Sequence, residues 1–122
     1  MTRALAIALM ALAAWGTPSF AAPPTGYDLY NECTSVNNLD TASCLGYLRG
    51  ALDGAMFYAS LSQPPCPSGV IKAGQLQLIF LRWARENPQF LGRNSLLVAM
   101  ASFADAFPCK PEKPAAVKEL HQ

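Results

Sequence analysis

Apolar positions recur at helical spacing in four stretches of the chain, and nowhere alternate with the two-residue rhythm of a half-buried strand. Thr25 and Asp28 form a capping-box variant that opens a short helix, with Leu29, Cys33 and Val36 on one face. Asn37-Asn38 ends it. A second helix, capped by Asp40 or Thr41, runs to about Ser60 and carries no charge along its length apart from Arg49 and Asp53. That pattern predicts a central, buried helix. Gly46, Gly50 and Gly54 repeat every fourth residue along it, at about 1 kcal/mol each in helix propensity. Close packing has to offset that cost, so the glycine face is expected to line an internal groove rather than a groove for a partner.

Three prolines in Gln63-Pro64-Pro65-Cys66-Pro67-Ser68-Gly69 remove donors and fix φ, which makes this stretch a loop. A third helix fits Ile71 to Glu86. Leu76, Ile79, Phe80, Trp83 and Ala84 form its apolar stripe, and Lys72, Gln75, Arg82, Arg85 and Glu86 lie opposite. Leu78 and Leu81 fall outside the stripe and are expected under a neighbouring helix, with an exposed patch as the alternative. Asn87-Pro88 reads as a cap followed by proline at the first helical position, so a short turn should cover Pro88 to Leu91 before Gly92 interrupts it. The last helix spans about Asn94 to Phe107, with Asn94, Ser95, Ser102 and Asp105 on a narrow polar face and every other position apolar. The architecture expected is all-α: a small four-helix bundle without a sheet.

At 122 residues, with 52% hydrophobic and 14% charged side chains, the chain holds one small domain. Nine Lys/Arg against eight Asp/Glu leave no basic excess for nucleic acid. The apolar run Leu5 to Trp15 is about half of the ~20 residues that a membrane-spanning helix needs. Arg3 before it, the break at Gly16-Thr17-Pro18, and the small residues Ser19 and Ala21 after it have the layout of a secretory signal peptide. Cleavage after Ala21 divides the chain into a signal over residues 1–21, a helical domain over 22–109 and an extended C-terminal tail over 110–122. Loss of Arg3 leaves the mature chain formally neutral, with no membrane insertion expected after cleavage.

Cys33, Cys44, Cys66 and Cys109 remain after cleavage. An even count in so small an exported domain reads as two disulfides. The two arms of a helical hairpin meet at positions equidistant from its turn. Cys33 and Cys44 are symmetric about Asn37-Asn38, and Cys66 and Cys109 nearly so about Asn87-Pro88, which selects Cys33–Cys44 and Cys66–Cys109. By chain entropy the short loop contributes about 3 kcal/mol and the long one about 4. No Cys-x-x-Cys is present and the single histidine, His121, lies in the tail, so no metal or other cofactor is expected.

The same position of His121 argues against serine–histidine and cysteine–histidine catalysis. Asp53 and Asp105, each on an otherwise apolar helix, are the remaining candidates for an acid or base. The plainer readings are an Arg49–Asp53 pair one turn apart and an Asp105 facing solvent. No phosphate-binding or dinucleotide-binding glycine pattern occurs. Binding rather than catalysis is the expected work.

Thr25-Gly26-Tyr27-Asp28-Leu29 leading to Cys33, then Cys44-Leu45-Gly46-Tyr47-Leu48-Arg49-Gly50 with Asp53, resembles the first half of the Rap/Tai immunity family. Cys66-Pro67, Gln75-Leu76, Trp83, Asn87-Pro88 and Ala106-Phe107-Pro108-Cys109 follow in that family's order and spacing. The resemblance implies a small, exported, disulfide-bonded helical protein, often a homodimer. It would bind type VI secretion amidase effectors in the periplasm and occlude the active-site cleft of a cysteine amidase, sparing peptidoglycan. The matching residues maintain a scaffold and do not name the recognition surface. The chain is also similar in size and composition to the periplasmic acid-stress chaperone HdeA, which implies the alternative of anti-aggregation activity at low pH. For the partner surface the first expectation is the outer side of the third helix and the connection after it: Leu78, Leu81, Arg82, Arg85, Asn87, Gln89 and Arg93.

Overall fold

The computed structural model describes residues 21–58 and 64–109. The expected export signal, apart from Ala21, and the expected tail lie outside the described residues. So does Ser60, where the second helix was expected to end.

Four α-helices make up the described part: α1 (Gly26–Thr34), α2 (Asn38–Phe57), α3 (Ala73–Glu86) and α4 (Ser95–Ala106), with a single 3-10 turn at Pro88–Phe90 between α3 and α4. The chain is all-α, as its periodicity predicts. Leu29 and Cys33 from α1, Cys44, Leu48, Ala51 and Leu52 from α2, Leu76, Phe80 and Ala84 from α3, Leu91, and Val98, Ala99 and Phe103 from α4 form one core. Phe80, Phe103, Leu48 and Leu76 are fully buried, so all four helices direct their apolar stripes into the same volume. Cys33 is joined to Cys44, with Cα atoms 5.1 Å apart, inside that core. Cys66 is joined to Cys109, with Cα atoms 4.9 Å apart, at the surface. The Cys66 N–H donates to Phe107 O at 2.8 Å, so the loop before α3 is held against the end of α4 by a hydrogen bond as well as by sulfur.

Helix ends are set by polar side chains that capture otherwise unpaired backbone N–H groups. At α1 the box is complete. The Thr25 N–H donates to Asp28 Oδ2 at 2.7 Å, the Thr25 hydroxyl donates to the same oxygen at 2.8 Å, and the Asp28 N–H returns to Thr25 Oγ1. The start of α2 differs from expectation: Asn37 caps it through a 2.8 Å bond from the Leu39 N–H, while Asp40 accepts from the Ser35 hydroxyl at 2.7 Å. Asn37 therefore belongs to the next helix, not to the end of α1, which closes at Thr34. Val36 falls in the turn and is fully exposed, off the face it was expected to share. The α3 helix begins two residues later than Ile71, with the Lys72 N–H bonded to Gln75 Oε1 at 2.9 Å.

Hydrogen bonds to Asp28 hold its carboxyl below the ordinary aspartate value of 3.8, the backbone N–H of Thr25 first and its hydroxyl second. A depressed carboxylate contributes stability that is fully present above its unfolded pKa and is lost as pH falls toward the folded one. The stability difference between wild type and Asp28→Asn is therefore expected to be largest near neutral pH and to shrink as pH drops below 3.8. Urea melts of the two proteins across that range check it. A difference independent of pH would show that the charge plays no part in the cap.

Three expectations about helix faces are corrected. The α2 helix buries one face only. A Cβ built at Gly46, Gly50 or Gly54 meets nothing within 4 Å, so the glycine stripe faces solvent and not an internal groove. At 100° per residue, Leu39, Gly46, Gly50 and Phe57 share that outward face, and Leu39 and Phe57 are exposed. The sparseness of charge along α2, confined to Asp40, Arg49 and Asp53, thus reflects an uncovered apolar strip as well as a buried one. On α4 the polar face divides: Ser95 and Ser102 point inward, each 1% exposed, while Asn94 and Asp105 are exposed. Ser95 Oγ lies 2.7 Å from Tyr47 Oη and the Ser102 hydroxyl donates to Ala99 O. Small hydroxyls that bond locally fit a tight helix crossing, and two leucines, Leu96 and Leu97, are left on the outside. On α3, Leu78 is 69% exposed, with no helix over it.

The glycine that does mediate close packing is Gly26. Its N–H donates to Arg93 O at 2.8 Å, the next N–H donates to Leu91 O at 2.9 Å, and the Ser95 N–H donates to Pro24 O at 3.0 Å. With the antiparallel bridge Thr25–Asn94, these bonds lay the entry to α1 along the entry to α4. A Cβ at Gly26 would stand 2.8 Å from Leu91 O and 3.0 Å from Leu91 Cα. Both are backbone atoms that cannot swing aside. Gly26→Ala is expected to cost about 1–3 kcal/mol through overpacking, measured by chemical denaturation, whereas Gly50→Ala should be neutral or stabilising because its site is open and alanine favours the helix.

Candidate partner-binding surface

On α3, Leu78, Arg82 and Arg85 follow one another at i, i+4 and i+7 and all three are exposed, so they form one outward stripe. Gln89 and Arg93, in the connection after the helix, are exposed as well. Two of the expected residues do other work. Leu81 packs against the core, and the Asn87 side chain donates to Trp83 O at 3.0 Å, closing α3. The stripe and the connection are neighbours, but the structure brings Leu81 and Asn87 into neither as free contact groups.

The connection is rigidly built. The Phe90 N–H donates to Asn87 O at 3.1 Å, the Arg93 N–H donates to Phe90 O at 3.0 Å, and the Gly26 N–H takes up Arg93 O from outside. Proline at the head of the 3-10 turn fixes φ where no donor is needed. Phe90 is thereby placed over Trp83, their ring centroids 6.1 Å apart and their planes inclined by 26°. The Arg93 guanidinium lies 5.7 Å from the Phe90 centroid, a cation–π contact.

Between these aromatics and α4 lies an open cleft of about 140 Å³, lined by Trp83, Phe90, Arg93, Leu97, Val98 and Ala101. Its walls are almost wholly carbon. Trp83 and Ala101 also border a broader recess of about 590 Å³ with Pro64, Ala104, Asp105, Pro108 and Cys109, beside the Cys66–Cys109 disulfide. Sequence reasoning placed Trp83 in the buried stripe and passed over Phe90, Leu97 and Ala101. Two signals were present: an aromatic inside a Pro-Gln-Phe-Leu-Gly turn, where little core is available, and the consecutive leucines Leu96-Leu97 directly before Val98-Ala99, a run of apolar residues too wide for one buried stripe.

The two acidic candidates stay apart from any such constellation. Asp53 accepts from Arg49 Nε at 3.0 Å, and Arg49 Nη1 also donates to Ile71 O at 3.0 Å, fastening α2 to the segment before α3. Asp105 is exposed at the edge of the broader recess. Among the described residues no group of three or more His, Cys, Asp or Glu side chains is placed to hold a metal ion, and no helix is long and apolar enough to cross a membrane.

No curated protein and no solved structure matches the chain. The family model of the Rap1a immunity proteins matches residues 25–109, from the N-cap of α1 to the last disulfide cysteine. That match spans all four helices and both disulfides and covers well over half of the sequence, and the chain belongs to the Rap1a immunity proteins.

Proposed function

We propose that this immunity protein is exported by residues 1–21 to the periplasm and there binds and inhibits a peptidoglycan amidase effector of type VI secretion. The family match over residues 25–109 carries the reading, since it makes an immunity role toward a secreted effector the function of the domain. Two disulfides support an oxidising, exported compartment. The effector-facing surface is the α3 stripe of Leu78, Arg82 and Arg85 continued by Gln89 and Arg93: it is exposed, carries a cluster of positive charge, and abuts the apolar cleft. Occlusion by docking needs no chemistry of the chain's own, in keeping with a family that is generally non-enzymatic.

The test is co-expression with an exported peptidoglycan amidase effector of type VI secretion, sought first among the products of the adjacent genes. Survival of cells that otherwise lyse, together with a complex on size exclusion, is the expected result, and the elution of the free protein reports whether it is the homodimer that the family resemblance implies. Lysis at the rate of the toxin alone and no complex would overturn the reading.

A further inference from the structure

We infer that the cleft between Trp83, Phe90 and Leu97 receives one aromatic or branched aliphatic side chain from an acidic segment of a partner protein, with Arg93 meeting a carboxylate beside that side chain. The inference deepens the immunity reading and rests on it for the partner's identity. Volume sets the size of the guest: about 140 Å³ is close to the ~150 Å³ apolar cavity that accepts a benzene ring. Preorganisation sets the geometry, because the Phe90 wall is held by its own N–H to Asn87 O and by the Arg93 N–H to Phe90 O and stacked on Trp83, so little ordering is left to be done on binding.

Charge sets the chemistry of the flanking residues. Among the described residues the cationic side chains are Arg49, Lys72, Arg82, Arg85 and Arg93, and Arg49 is the one in an ion pair. The other four lie on α3, its N-cap and the connection after it. The carboxylates Asp28, Glu32, Asp40 and Asp53 lie on α1 and α2, leaving Glu86 and Asp105 on the α3–α4 side. Among the described residues the α3–α4 side thus carries four cations against two carboxylates, and Arg93 is the charged residue that lines the cleft itself, an imbalance that steers toward it a partner surface of negative charge.

N-acetylphenylalanine, a phenyl ring with an adjacent carboxylate, is the minimal probe, and its amide is the uncharged control. Titration into the isotope-labelled mature protein is expected to shift the Trp83 indole N–H and the amides of Phe90, Arg93, Leu97 and Ala101 with affinity of about millimolar order. The amide should bind at least about threefold more weakly. Arg93→Gln should abolish that difference, and Ala101→Met, which fills the cleft, should abolish binding of both. With the amidase, Arg93→Glu and Ala101→Met are expected to raise Kd at least about tenfold at unchanged Tm, while Asp53→Asn leaves it unchanged. Shifts elsewhere on the protein, or wild-type amidase affinity in both cleft variants, would overturn the inference and leave the immunity reading intact. Failure of the wild-type protein to bind the amidase would overturn the immunity reading, and the cleft would then stand or fall on the probe titration alone.

Discussion

Phe80→Ala is expected to remove about 3–5 kcal/mol of stability. The ring is 0% exposed and stands in the same cluster as Leu48, Leu76 and Phe103, so its loss opens a void that neighbours on three other helices cannot close without giving up their own contacts. A domain of this size has a total stability near the low end of about 5–15 kcal/mol, and the variant should approach the unfolding threshold. In urea, with m near 1–3 kcal/mol/M, the midpoint should fall by about 2 M. Leu78→Ala is the matched control: at 69% exposure its effect should stay within about 0.5 kcal/mol. Equal losses in the two variants would contradict the division of α3 into a buried and an outward face.

The second large effect concerns sulfur. Loop length alone ranks the disulfides by their sequence separations of 11 and 43, which makes the longer Cys66–Cys109 loop the stronger constraint on the unfolded chain. Burial reverses the ranking in the native state. Cys33 and Cys44 are 3% and 0% exposed and belong to the core, whereas Cys66 and Cys109 are exposed. Replacing Cys33 and Cys44 together by alanine should therefore cost about 3 kcal/mol for the loop plus the packing lost with two core sulfurs. Under mild reductant without denaturant, alkylation followed by mass spectrometry should label Cys66 and Cys109 well before Cys33 and Cys44, because exchange needs access for the attacking thiolate. Simultaneous labelling of all four would show that the pairs open only by global unfolding.

Helix number, helix boundaries to within a few residues and the cap at Thr25 were readable from local signals, because spacing and capping chemistry act within a turn or two of chain. What covers each face is a tertiary property and was read less well. Gly46, Gly50 and Gly54 follow a close-packing pattern, yet no helix comes to them, and the close approach is made instead by Gly26, a lone glycine behind a capping threonine with no periodicity to mark it. Ser95 and Ser102 look like a solvated face by polarity. They turn inward because a hydroxyl that bonds within its own helix or to Tyr47 loses little by burial, and the bundle needs small side chains where α4 crosses α2. The stripe of Leu78, Arg82 and Arg85 follows from α3 periodicity alone. The cleft beside it does not, since Trp83, Phe90 and Leu97 converge from three different elements.

The bonds that Pro24, Gly26 and Tyr27 make to Ser95, Arg93 and Leu91 give the first residues of the domain a role out of proportion to their number. With cleavage after Ala21, as proposed, only Ala22 and Pro23 precede this seam. A purification handle fused directly there would crowd the one place where the beginning of the polypeptide supports the wall carrying Phe90 and Arg93, and a recombinant version trimmed to begin at Asp28 would leave that wall unbraced. Affinity tags belong at the other terminus, or behind a spacer, if recognition is to be measured on an undisturbed molecule.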